Sequence, residues 1–355
     1  MAFSNTYTAT TDPAVGSAVS NREDLTDVLT ILAPEETPIL SSANKQKATA
    51  TFVEWTVDSL ASPDNTPIRE GADVGDTIGN DTDAGFKDKF AGRARLGNYI
   101  QKFRRAYQVS DLQEAVDSVG PAKVAQAEAK AIRELKRDIE FTLSSSQDRS
   151  VEDGLNTGYA LRGLGKWIDS TNTASGGSSD VPDTFKTPEG SIVDVSGSET
   201  TFAETSLNSM ITSVFKVTGS SNNLMLIADT ALRNDISDFA RISQNVSPNQ
   251  TVRSVNYNGD SGTIKLSVDL YQSDHGVVSV VNANPDCAPA QDASGAVSGM
   301  QGYLVNPEYY GVHELIPMGS TRLPNQGGGE RGYVDCALTL GVYHPGAHGK
   351  VISTS

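Results

Sequence analysis

Two histidines stand four residues apart in H-P-G-A-H-G-K, residues 344–350. Glycines and a lysine close by suggest a metal or phosphate site. Zinc needs about four ligands, usually from two paired halves. Here His344, His348 and at most Cys336 would form one half, and the other cysteine, Cys287, stands alone in a Pro/Ala-rich stretch. A phosphate loop GxxxxGK[ST] would need glycine at 344 and Ser or Thr at 351, where the chain has His344 and Val351. The bland reading is therefore favoured. His344 ends a strand, Pro345–Gly346 turn the chain, and His348 and Lys350 face solvent or a neighbour. Neither GxSxG nor HExxH occurs, and no catalytic set emerges.

Two other clusters could bind something. Asp73, Asp76, Asp81 and Asp83 invite calcium, but the fifth position counted from Asp81 is Gly85 and no glutamate closes a loop. Just after them, Lys87, Lys89, Arg93, Arg95, Lys102, Arg104 and Arg105 share a window whose only acid is Asp88, interleaved with Phe86, Phe90, Tyr99, Phe103 and Tyr107. Cations among aromatic rings can hold single-stranded nucleic acid. Adjacent blocks of opposite sign also suit contact between copies of one chain, and that reading is favoured. The four aspartates, the seven cations and Trp55 are the candidate intersubunit contacts.

Positioning these residues requires particular elements. Thr49–Leu60 alternates, with Val53, Trp55 and Val57 on one side, which predicts a strand. A polar stretch follows that is too long for an ordinary connection. The chain returns β-prone over Gly92–Ser110. Strand, long tip and returning strand make a two-stranded finger, which is marginal alone in water and needs something to lie on. Ser110-Asp-Leu-Gln113 fits a capping box opening a short helix to about Ser118. From Pro121 a long amphipathic helix is predicted, with Val124, Ala131, Leu135, Ile139 and Leu143 as its core face. The period predicts further helices over Asn21–Leu32, from Leu207 to Phe215, and over 230–241. Strands are expected at NLMLIAD and GVVSVVNA, a hairpin around Asn258–Gly259–Asp260, and strands in both halves of the last 55 residues. Val334, Cys336, Leu338, Leu340 and Val342 share one face there, so Cys336 reads as an inert core thiol. Helices and strands mix without βαβ repetition, so the class is α+β.

Composition narrows the function. A net charge of −16 repels phosphate and argues against a dedicated nucleic-acid binder. Apolar residues with glycine make up roughly 43% of the chain, a little under the usual ~45–50%. That fits a compact core plus extended parts that cannot bury themselves. Two distant cysteines form no disulfide framework and fit a reducing cytoplasm. The first residues lack the basic and apolar regions of a signal peptide, so export by a cleaved signal is not expected. No run approaches the ~20 apolar residues of a membrane span.

The set GNYIQKFRRAYQVSDLQEAV, AIRELKRDIEFTL, LRGLGKWI, GYLVNPEYYGVHEL and GVYHPGAHGK, from about residue 92 to the end, resembles the major capsid proteins of tailed double-stranded DNA bacteriophages. The resemblance implies the Hong Kong 97-type fold. Residues 1–42 would be an N-terminal arm and 43–108 the extended loop. Residues 109–204 would be a peripheral domain with its spine helix and a linker, 205–300 an axial domain, and 301–355 the peripheral domain's closing strands. It implies a structural protein without catalysis, cofactor or metal. Pentamers and hexamers would tile an icosahedral virion shell around packaged DNA, without specific DNA binding and without a membrane. Assembly would occur in the host cytoplasm, with a separate scaffolding protein, a portal and a decoration protein as partners. A nucleic-acid module using residues 87–105 remains the alternative, and a zinc hydrolase using His344 and His348 a weaker third.

Overall fold

A computed structural model of the chain describes residues 36–60, 63, 65, 67, 70–71, 92–116, 123–155, 157–169, 181–195, 202–219, 223–239, 268–287 and 301–352. The expected helix at 21–32 and the hairpin at 258–260 lie outside them.

A four-stranded sheet is ordered β1-β10-β11-β4. It joins β1 (Asn44–Lys47) and β4 (Gln101–Val109) to the long hairpin β10 (Tyr310–Leu323) and β11 (Glu330–Val342). β1 runs parallel to β10, and the other pairs are antiparallel. The helix α3 (Lys123–Ser144) packs across β4 and β11 and buries Val124, Ala131, Leu135, Ile139 and Leu143. Each of the Val, Leu and Ile side chains among them contributes about 1.5–3 kcal/mol on full burial, which fixes the helix on the sheet. Two short helices precede it. α1 (Pro38–Ser42) leads into β1, and α2 (Asp111–Ala115) is capped by Ser110 Oγ, which accepts from Gln113 N–H at 3.2 Å. The capping box is present, but α2 ends at Ala115, three residues short of the expected stop.

A six-stranded sheet follows the order β5-β12-β9-β6-β8-β7. Its strands are β5 (Ile192–Asp194), β6 (Leu224–Ala228), β7 (Leu270–Ser273), β8 (Gly276–Asn282), β9 (Gly302–Val305) and β12 (Gly349–Ile352). α5 (Glu204–Thr218) and α6 (Thr230–Asp238) pack on it through Leu207, Met210, Ile211 and Val214, and through Leu232 and Ile236. Gly219 ends α5 in the left-handed conformation, φ 68°. Phe215, expected on the inner stripe, is instead 38% exposed and stacks on His275.

Two features depart from the expected organisation. The last 55 residues do not stay with one sheet, because β9 and β12 pair with β6 and β5 while β10 and β11 pair with β4 and β1. All four residues of β9 are buried, so it suits a sheet interior rather than an edge. The returning limb also divides. β2 (Phe52–Val57) pairs antiparallel with β3 (Ala94–Tyr99), placing Trp55 opposite Leu96. At Ile100 the chain leaves β2 and becomes β4 in the four-stranded sheet. There Phe103 and Tyr107 turn inward under α3, which an isolated ribbon could not offer them. A short helix α4 (Leu164–Trp167) completes the elements. No described helix is long and apolar enough to cross a membrane.

Candidate functional site

The finger is rooted by a polar cluster. Asn98, next to last in β3, is fully buried. Its amide donates to Leu340 O (2.8 Å) and Arg162 O (3.1 Å), and its Oδ1 accepts from Arg162 N–H (2.8 Å). Gln101 Oε1 accepts from Leu161 N–H and from Gln147. Arg149 donates to Gly97 O and lies over the Phe52 ring, while Arg162 pairs with Asp148 at 2.8 Å. Gly97 is required here, because a Cβ would lie 2.6 Å from the Phe52 ring. Asparagine is a poor strand residue. Its place between two β-prone runs was a signal that sequence reasoning passed over.

Trp55 belongs to this root. Its ring sits 5.6 Å from that of Trp167 and 5.9 Å from that of Tyr343. It packs within its own subunit, because the β2–β3 ribbon has one apolar side and lays it on α4 and β11.

The cations are also answered within the chain. Arg93 pairs with Asp58 at 2.9 Å and Arg95 with Glu54 at 3.7 Å, both across the ribbon. Lys102 and Arg104 share Asp335 at 3.1 and 3.3 Å, and Arg104 covers the Tyr333 ring. Hydrogen bonding of both cations outweighs desolvation and holds the Asp335 carboxyl below its usual range. Arg105 grips Asp138 of α3 with two bonds of 2.5 and 2.6 Å, and that bond raises its own pKa. Phe103 and Tyr107 are buried, and Tyr99 stacks on Tyr159 and packs against Phe52. A strip that stacks bases needs free rings and unengaged cations, and β4 has neither. Lys87, Lys89, Asp73, Asp76, Asp81 and Asp83 lie outside the described residues.

α3 carries a residue that its charge pattern conceals. Glu140 is 1% exposed. Its carboxyl oxygens accept from Ile39 N–H (2.8 Å) and Leu40 N–H (2.9 Å) of α1, about one hundred residues away. Those are first-turn donors that no side chain of α1 itself caps. Burial outweighs both bonds and pushes the Glu140 pKa up to about 7. Ser42 Oγ bonds Tyr310 OH beside it. Glu140 therefore fixes where the N-terminal segment meets the spine helix.

H-P-G-A-H-G-K is a folded turn. His344 Nδ1 accepts from Gly346 N–H at 3.1 Å, residues 345–347 form one 3-10 turn, and β12 begins at Gly349. His348 does not face solvent. It is fully buried, its Nδ1 accepts from Asn306 N–H at 3.2 Å, and burial drives its pKa down to about 3. Lys350 is also turned inward, donating to Gly165 O at 3.2 Å. Residues 345–349 are buried throughout, so the turn itself carries His348 into the core, and β12 between β5 and β9 then buries Gly349 and Val351. Burial raises the Cys336 thiol to about 12, leaving it protonated and inert. Among the described residues no group of three His, Cys, Asp or Glu side chains is arranged to hold a metal ion.

The same fold recurs in solved capsids. The chain resembles the capsid of cyanophage A-1(L) at 15% identity, TM-score 0.56, over 94% of this chain and 96% of that one. It resembles the capsid of a native GTA particle at 11% identity, TM-score 0.57, over 98% and 99%. Similarity to the capsid of cyanophage P-SCSP1u is 11%, TM-score 0.55, over 95% and 94%. The fold is that of phage capsid proteins. No curated protein matches the chain. A family model does, over residues 3–355: the chain belongs to the SU10 major capsid protein family.

Proposed function

We propose that this chain is a subunit of a phage head and assembles into pentamers and hexamers of the Hong Kong 97 type, closing an icosahedral shell around double-stranded DNA. The observation that carries the reading is the finger. Its root is fastened by Asn98, Trp55 and Arg149, while its chain continues for 34 residues between Val57 and Gly92 before returning. Such a ribbon gains most by lying on a second copy, where main-chain pairing and apolar contact are supplied from outside. A closed lattice repeats each weak contact many times. In this reading the four-stranded sheet with α3 is the peripheral domain and the six-stranded sheet the axial domain. The chain is structural, resides in the virion and is assembled in the host cytoplasm with scaffolding, portal and decoration partners. Its net charge of −16 suits a container whose DNA must slide in and leave.

Electron microscopy and sedimentation of the chain, expressed with and without its scaffolding partner, test this. Closed particles tens of nanometres across are the expected outcome. A chain that stays monomeric in both cases would overturn it.

A further inference from the structure

α3 covers the β4 and β11 side of the four-stranded sheet but leaves a groove over β10. The groove holds about 250 Å³ and is floored by Leu40, Ile139, Ile316, Met318, Cys336 and Leu338. That exceeds the ~150 Å³ cavity that admits a benzene ring, so two aliphatic side chains fit. Ile316 is 42% exposed there. Lys45 and Lys136 stand at its rim with Glu314, which Lys45 meets at 3.6 Å.

We propose that this groove seats the chain's own N-terminal arm, with Leu29 and Leu32 entering it and Leu25 and Val28 continuing the same face. Glu140 pins Ile39 and Leu40, so the chain meets the described fold at the mouth of the groove, and Leu40 already lines it. Leu32 lies eight residues earlier, within ~27 Å of Leu40 at full extension. The four residues recur at i, i+3, i+4 and i+7, the spacing of one helical face. Residues 21–36 carry five carboxylates (Glu23, Asp24, Asp27, Glu35 and Glu36) against one Arg22, opposite in sign to the rim, where Lys45 and Lys136 outnumber Glu314. A short tether supplies its segment at roughly millimolar effective concentration, which favours the arm over a second copy. The inference concerns the single subunit and does not depend on shell formation.

The test uses the full-length chain with a benzophenone-bearing phenylalanine in place of Leu29. Irradiation should give an adduct to β10 or α3 that migrates at the mass of one chain. Ile316→Lys changes a half-exposed position and should cut that adduct about tenfold or more, the effect of roughly 1.4 kcal/mol or above on docking. Adducts at twice the chain mass would assign the groove to a second copy and overturn the proposal. So would adducts mapping elsewhere, no adduct at all, or a yield that Ile316→Lys leaves unchanged.

Discussion

His348 and Glu140 are buried titratable groups that pull stability in opposite directions with pH. His348 has a folded pKa near 3 against an ordinary 6.5, so the unfolded chain takes up its proton first. Its contribution is present above pH 6.5 and is lost as pH falls, by roughly 3 kcal/mol at pH 4. Lowered values at His313 and His344, both from burial, lean the same way. Glu140 has a folded pKa of about 7 against 4.5, so its contribution is complete below pH 4.5 and is lost as pH rises through 7. Between pH 4.5 and 6.5 the two slopes offset one another. We expect denaturant midpoints to stay nearly level across that window and to fall below it. Glu140→Gln removes one slope, so its midpoints should fall continuously from pH 6.5 downward, while His348→Asn should flatten the acid limb. A Glu140→Gln profile parallel to that of the parent would exclude the assignment. Neither residue was legible in the sequence. An acid among the charges of an amphipathic helix reads as solvated, and the N–H groups that claim Glu140 come from one hundred residues away.

At the scale of elements, the finger root concentrates both tryptophans of the chain, Trp55 on β2 and Trp167 on α4, with ring centroids 5.6 Å apart. Tryptophan fluorescence therefore reports this junction alone. Trp55→Ala should cost about 2 kcal/mol, less than a fully buried indole because the side chain is half-buried. It should also shift Trp167 emission to the red and speed proteolysis within residues 58–93. Unchanged emission and unchanged stability would mean that the finger is not docked through Trp55. The spine helix and the β2–β3 ribbon were legible, because periods of 3.6 and 2 are written in the residues themselves. The division at Ile100 was not. Alternation shows which side of a strand is apolar but not which strand will lie beside it. Phe103 and Tyr107 find their cover in α3, whose position the local sequence does not encode.

For the whole molecule, the ion pairs of the basic limb change the meaning of its charge. Arg93, Arg95 and Arg104 each meet a carboxylate of their own chain on an exposed surface, and such pairs contribute less than about 1 kcal/mol apiece. Reversing all three to Glu should leave the circular dichroism spectrum of the free subunit intact. In the proposed shell the same surface must meet a neighbour, and six units of changed charge per subunit should lower particle yield at least severalfold, with partial recovery in high salt. Normal yields from a folded triple variant would show that this limb plays no part in contact between copies.

Both sheets are completed by the same short stretch of chain. β10 and β11 form the middle of one, and β9 and β12 lie inside the other, all drawn from residues 302–352. β4 is finished at Val109, yet its only partner among the described residues, β11, begins at Glu330. At a synthesis rate of ~5–20 residues per second, the ribosome takes about 10–40 s to bridge that gap. Through that interval a nascent chain lacks the four-stranded sheet and holds at most the β6-β8-β7 part of the other. A polypeptide cut short by a stalled ribosome or an early stop codon would lack the centre of both sheets and could not take a subunit's place. In the proposed shell, then, only chains translated to their last strands would enter the pool of interacting copies.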